Sequence, residues 1–185
     1  MRRGGGEVTR HRETDEVSLV NEYARTKFAG EGFALTDPSA VVLRTNIVGF
    51  RRNETPTFLE WAIGALKRNE KLTLFDDFYT SSIHVIQFAK IIFDVIRLRP
   101  VGIFNAASST VASKKDFILA LSKTLFNTAP ANYTVGSVRS LGTARRANSL
   151  GLDVGKIENC LGYTMPDIEQ VMHSIKQEYV AEGSR

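Results

Sequence analysis

Tyr23 and Lys27 stand four residues apart in the segment Tyr23-Ala-Arg-Thr-Lys27, the spacing that places two side chains on one face of a helix. A free phenol titrates near pH 10, and an ammonium held beside a phenol favours the phenolate. Such a pair can therefore pass a proton to or from a carbonyl group that is being reduced. The same spacing serves a tyrosine packed on the body with a lysine snorkelling past it, so the pair takes its meaning from its surroundings.

The other chemistry-bearing residues read more plainly. The turn that cradles a dinucleotide pyrophosphate needs a glycine-rich link between a strand and the helix that follows. Gly4-Gly5-Gly6 follows no strand, and Gly30-Glu31-Gly32 closes a helix instead of opening one. Gly151 to Lys156 resembles a phosphate loop but is one residue short, and Ile157 stands where a magnesium-binding hydroxyl is needed. His84 sits among Ile83, Val85 and Ile86 and reads as a core or edge-strand histidine. Cys160 reads as a small buried hydrophobe, and histidines at 11, 84 and 173 make no metal site. Asn132-Tyr133-Thr134 matches a glycosylation acceptor that needs a secretory route.

The elements that must position Tyr23 and Lys27 alternate. Residues 1–16 carry almost no apolar side chain and are expected to form a loop or frayed end. A helix runs from Asn21, its cap, to Gly32, its stop, and the apolar run 40–45 reads as a buried strand. Thr55-Pro56 opens a helix to about Arg68, 71–75 make a short strand and 83–85 another. Residues 87–98 form a helix apolar enough to be largely buried, ended by Pro100, and 102–106 give the next strand. Ser113 to Asp116 opens a helix to Phe126, 133–138 make a weaker strand, and a closing helix begins at Pro166. This alternation predicts an α/β fold built on parallel strands.

Composition is compatible with that fold. The chain has 185 residues, of which 43% are hydrophobic and 24% charged, enough to bury a core. One cysteine excludes an internal disulfide, and no apolar run reaches the roughly 18 to 20 residues of a membrane span. A cytoplasmic protein is expected. The net charge of +4 is scattered in pairs such as Arg51/Arg52 and Arg145/Arg146, which argues against nucleic acid and suits anionic small molecules.

Taken together, NEYARTKFAGE and the strand VVLRTNIVGF resemble the middle of an extended short-chain dehydrogenase/reductase, most closely the dTDP-4-dehydrorhamnose reductase-like, sugar-nucleotide-binding group. FYTSSIHVIQFAKII, GIFNAASS and LDVGKIENCLGYTMPDIEQVM are similar to later pieces of that family, so the likeness covers roughly residues 12–180. It implies the C-terminal part of a Rossmann-like doubly wound parallel sheet plus a small α/β substrate-binding lobe over residues 17–185. It also implies reduction of a nucleotide-linked 4-keto sugar with NADP or NAD. Tyr23 would be the acid/base and Lys27 would hold the nicotinamide ribose, with Thr45 and Asn46 beside the nicotinamide. Asn46, Tyr79, Thr80, Ser81, Arg145 and Arg146 would meet the substrate. Two other readings stay open, a sugar-nucleotide epimerase or dehydratase and a non-catalytic sugar-nucleotide-binding or regulatory protein.

The family commonly ends this strand with Tyr-Gly or Phe-Gly, whereas this chain has Val48-Gly49-Phe50, so the shape of the substrate pocket is left open. Six strand-helix units need roughly 150 to 180 residues before any substrate lobe is added. The chain is therefore expected to be part of a longer enzyme and to show little dehydrogenase activity alone. An incomplete parallel sheet would leave a strand edge open, so association of copies through that edge is expected, with no membrane partner.

Overall fold

Strands and helices alternate along the residues that the computed structural model describes, 8–51, 53–140 and 149–183. β1 (Arg10–His11) is followed by α1 (Glu22–Ala34), β2 (Val41–Arg44), β3 (Asn46–Val48) and α2 (Phe58–Lys67). Next come β4 (Leu72–Phe75), β5 (Tyr79–Thr80), β6 (Ser82–His84), α3 (Val85–Leu98) and β7 (Gly102–Asn105). The order then continues with β8 (Ala112–Ser113), α4 (Lys114–Phe126), β9 (Tyr133–Gly136), β10 (Ser149–Leu152), α5 (Gly155–Leu161) and α6 (Ile168–Gly183).

The expected α/β class with parallel strands is present. β2 runs parallel to β7 from Val41 opposite Gly102 to Arg44 opposite Asn105, and β3 runs parallel to β6 from Asn46 opposite Ser82 to Val48 opposite His84. β4 pairs in parallel with β9, and the sheet β1-β10-β5-β8 is parallel except at its β5–β8 step. Parallel neighbours need long crossovers, which the helices provide.

Helix starts are built by side chains that satisfy the first free N–H groups. The Asn21 carboxamide oxygen accepts from the Ala24 N–H at 2.9 Å, and Ser113 Oγ accepts from the Asp116 N–H at 3.0 Å. Thr57, not Thr55, caps α2, because Glu60 three residues further on returns a bond to the Thr57 N–H at 2.7 Å. Asp167 and Gln170 exchange the same pair of bonds at the start of α6. Gly32 does not stop α1, which runs to Ala34. Glycine in a solvated helix costs about 1 kcal/mol against alanine but breaks no hydrogen bond, whereas Pro38 further on cannot continue a helix.

Two apolar clusters form the interior. Leu59, Ala62, Leu74, Phe117, Leu121, Val171 and Ile175 join α2, β4, α4 and α6, while Ile83, Ile91, Val95, Phe104, Ile157 and Met165 join β6, α3, β7 and α5. Truncating a fully buried leucine such as Leu59 or Leu121 to alanine costs about 2 to 5 kcal/mol.

Two expectations are corrected. Residues 10–11, expected in a loop, form β1 against Gly151 and Leu152, since an edge strand pairs through its backbone and needs no apolar side chain. α3, expected to be largely buried, buries Ile91 and Val95 but leaves Phe93 72% and Ile96 64% exposed. Its apolar circumference shows which faces gain from burial, while only one stripe meets neighbours within this chain. No helix among the described residues is long and apolar enough to cross a membrane.

His84 is fully buried where β6 meets α6, with Nδ1 2.8 Å from Ser174 Oγ and Nε2 2.9 Å from Glu178 Oε2. The ring shares a hydrogen bond with the serine hydroxyl through Nδ1, and its other nitrogen faces the Glu178 carboxylate. Burial pushes the imidazole down to about 4 from its usual 6.5 despite the carboxylate beside it. The unfolded chain then binds more protons across that interval, so this contribution to stability is complete above pH 6.5 and is lost as pH falls towards 4. Urea unfolding measured at several pH values should show a slope in this window that His84→Gln flattens; an unchanged slope would assign the acid sensitivity to other groups.

Candidate functional site

The apolar run 40–45 and the residues after it do not form one strand in one sheet. β2 belongs with β7, β3 belongs with β6, and Thr45 is the residue between them. A place where neighbouring strands change partners leaves a crevice at the strand ends, the usual seat of a ligand in open α/β sheets. Here the crevice is a cleft of about 330 Å³ lined by α1, the Arg44-Thr45-Asn46 break, β10 and the chain that leads into α1.

Several of the expected residues meet in this cleft. Lys27, Thr45 and Asn46 line it together. The Asn46 side-chain N–H donates to the Leu150 carbonyl at 2.9 Å, which ties the break to β10. The Thr45 hydroxyl is buried and has no hydrogen-bond partner among the described residues. A buried hydroxyl without a partner costs about 1 to 3 kcal/mol, and a polar ligand group in the cleft would remove that cost.

Tyr23 lies one turn before Lys27, with the Lys27 Nζ 5.6 Å from the centre of its ring. It is 70% exposed and does not line the cleft. Tyr79 and Thr80 flank the same region, because β5 pairs with Ser149 and Leu150 of β10. The Thr80 hydroxyl meets Ser82 Oγ at 3.0 Å, and the fully buried Ser81 Oγ accepts from the Leu152 N–H at 3.0 Å. Those two hydroxyls are thus engaged, the first with β6 and the second with β10, and Tyr79, half-buried, is the most accessible of the three. Arg145 and Arg146 lie outside the described residues.

The site also depends on residues that pattern reading missed. α1 buries no side chain completely and is held to β2 by Arg44, whose Nη2 lies 2.7 Å and Nε 2.8 Å from Glu31 Oε1. Arg44 in an otherwise apolar strand was the signal, since a guanidinium leaves water only with a partner. A second clamp fastens the segment before α1. The Asn105 N–H donates to Glu13 Oε1 at 2.8 Å, and its side-chain N–H atoms donate to the His11 and Asp153 carbonyls at 2.9 and 3.0 Å.

These residues suit the ribose and nicotinamide end of a dinucleotide, through a lysine ammonium, an unpartnered hydroxyl and a fixed carboxamide on one wall. No G-x-G-x-x-G turn joins a strand to a helix among the described residues, so they offer no cradle of that kind for the pyrophosphate.

A family model described as RmlD substrate binding domain matches residues 4–180. None of the curated proteins compared with the chain matches it. Among solved structures, a dTDP-4-dehydrorhamnose reductase from Clostridium acetobutylicum is 19% identical with a TM-score of 0.79, over 98% of this chain and 62% of that one. A dTDP-4-dehydrorhamnose reductase from Bacillus anthracis in complex with NADP is 20% identical with a TM-score of 0.81, over 94% of this chain and 61% of that one. A dTDP-glucose 4,6-dehydratase from Bacillus anthracis in complex with NAD is 16% identical with a TM-score of 0.75, over 97% of this chain and 58% of that one. The chain thus spans about three fifths of the length of these structures, whose likeness shows a Rossmann-like fold.

Because the Glu31–Arg44 pair is the main side-chain tie between α1 and the sheet, Glu31→Gln should loosen α1 ahead of the rest. Urea unfolding should register a loss of about 1 to 3 kcal/mol, and hydrogen exchange should speed up most over residues 22–34. Equal acceleration in α4 and α6 would show that the pair has no local role.

Proposed function

We propose that this chain, which belongs to the RmlD substrate binding domain family, serves NAD(P)-dependent reduction of a nucleotide-linked 4-keto sugar. Residues 17–185 would supply a Rossmann-like part and the substrate lobe. The observation that carries the reading is the meeting of Lys27, Thr45 and Asn46 on one cleft, with the Thr45 hydroxyl buried and unpartnered. The dTDP-linked names of the similar structures support the substrate class, and their NADP and NAD complexes support the cofactor.

In this reading a nicotinamide, when bound, would be the source of the hydride for the sugar keto carbon. Tyr23 gives its hydroxyl proton to the oxygen of that carbon, which converts a developing alkoxide to an alcohol. Lys27, beside it on α1, holds the ribose hydroxyls through its ammonium donors. Thr45 and Asn46 orient the ring from the strand break, and Tyr79 meets the sugar from β5. The Arg145 and Arg146 guanidinium groups would pair with the diphosphate. The apolar side chains of α3 left open, Phe93 and Ile96 among them, support association of copies.

A second reading keeps sugar-nucleotide binding and drops the chemistry. Tyr23 favours it, since the side chain stands 70% exposed and outside the cleft lining.

Calorimetric titration with dTDP-rhamnose, joined to an NADPH-oxidation assay on the corresponding keto sugar, separates the readings. Asn46→Ala should weaken ligand binding about tenfold, which corresponds to loss of one good polar contact. In a form of the protein that also carries a pyrophosphate cradle, Tyr23→Phe should leave binding within about twofold and lower turnover about 100-fold or more. Binding without turnover in that form selects the binder, and absence of binding overturns both.

A further inference from the structure

A second cavity, of about 210 Å³, shares no lining residue with the cleft. Its walls are aromatic, from Phe58 and Trp61 of α2, Phe75 of β4, and Phe78. Lys114, the first residue of α4, is the only lining side chain with an amine among the described residues. Its Nζ lies 4.3 Å from the centre of the Phe58 ring and 5.8 and 5.9 Å from the centres of Phe117 and Phe78.

No carboxylate among the described residues pairs with this amine. Asp76 pairs with Lys115 at 3.5 Å, and Asp77 accepts from the Val138 N–H at 2.8 Å and from the Ser137 hydroxyl. Asp116 accepts from the Ser113 hydroxyl, and Glu60 is engaged in the α2 capping box. Two influences oppose the charge of this amine, while the Phe58 ring face favours it. Partial burial takes it from water, and the start of α4 presents the positive end of the helix dipole. Burial lowers the ammonium to about 8 from its usual 10.5, so a substantial fraction is neutral and nucleophilic near physiological pH.

We propose that this cavity is a second ligand site, for a flat aromatic or conjugated aldehyde or ketone, and that Lys114 captures the ligand as a reversible imine. The aromatic walls suit a planar apolar body, which stacks on them or meets their edges. The neutral amine adds its lone pair to the carbonyl carbon while the C=O π pair moves to oxygen. A proton passes from nitrogen to that oxygen to give a carbinolamine. Water then leaves as the C=N bond forms, so neither oxidant nor reductant is required. Protonation of the imine restores a cation above the Phe58 ring, where the ring face attracts it. The site is independent of the reductase reading, and its test involves neither sugar nor nicotinamide.

The full chain is treated with benzaldehyde and cyanoborohydride, which reduces any imine to a stable benzylamine, and the labelled lysines are mapped by peptide mass spectrometry. Lys114 should label about tenfold faster than the other lysines at pH 7 and reach its half-maximal rate near pH 8. Pentanal, which lacks the ring, should show a smaller preference for Lys114, and Phe58→Leu should reduce the benzaldehyde preference. Labelling of Lys114 at the common rate, or with the pH profile of the exposed lysines, would overturn the proposal without needing any variant to fold.

Discussion

The handover of one continuous chain segment between two partner strands governs this molecule. Residues 41–48 pair first with β7 and then with β6, and Thr45 takes the break. Each parallel pairing must satisfy its own backbone donors and acceptors, so the segment cannot pass smoothly from one partner to the other. The crevice this leaves is bounded by whatever is fastened nearby. Asn46 fastens β10 through Leu150, and Arg44 fastens α1 through Glu31. The cleft is therefore a by-product of strand pairing before it is a feature of any single residue.

Packing around the break is divided. One apolar cluster gathers α2, β4, α4 and α6, the other β6, α3, β7 and α5, and His84 sits where the two meet through β6 and α6. A buried imidazole with a serine hydroxyl on one nitrogen and a carboxylate facing the other fixes the orientation of α6 more specifically than apolar contact does. By contrast α1 has no fully buried residue and stays in place through ionic and capping contacts. The helix that bears Tyr23 and Lys27 is thus among the least packed elements, while the wall opposite it is well anchored.

Two sites of different character follow. The cleft is polar at the break and presents a lysine, an unpartnered hydroxyl and a carboxamide, a donor set suited to the hydroxyl-rich end of a nucleotide. The second cavity is walled by aromatic rings around a single amine. Family membership and Rossmann-like fold bear on the first alone. The second is a property of this chain's own side chains, Lys114 at a helix start and four aromatic residues from three parts of the sequence.

Much was legible in the amino-acid order, because much of it is local. Asn21, Ser113 and the apolar periodicity announced their helices, the β-branched run announced β2 although none of its residues is fully buried as that run led one to expect, and Tyr23 with Lys27 announced a shared helical face. Such features depend on neighbours within four or five residues, where a short chain has few conformational choices. What remained hidden depends on distant partners. β1 could not be seen in polar residues 10–11, since their partners lie 141 residues away, and the partial exposure of α3 depends on which neighbours this chain brings to it. The same holds for the Glu31–Arg44 clamp, for the Thr80 and Ser81 hydroxyls turned inward, and for Lys114 among its rings. The sequence by itself determined the helices, the principal strands and the types of group available for chemistry. Only the tertiary structure decided which of those groups face one cavity, because that is set by long-range strand pairing, which no local pattern encodes.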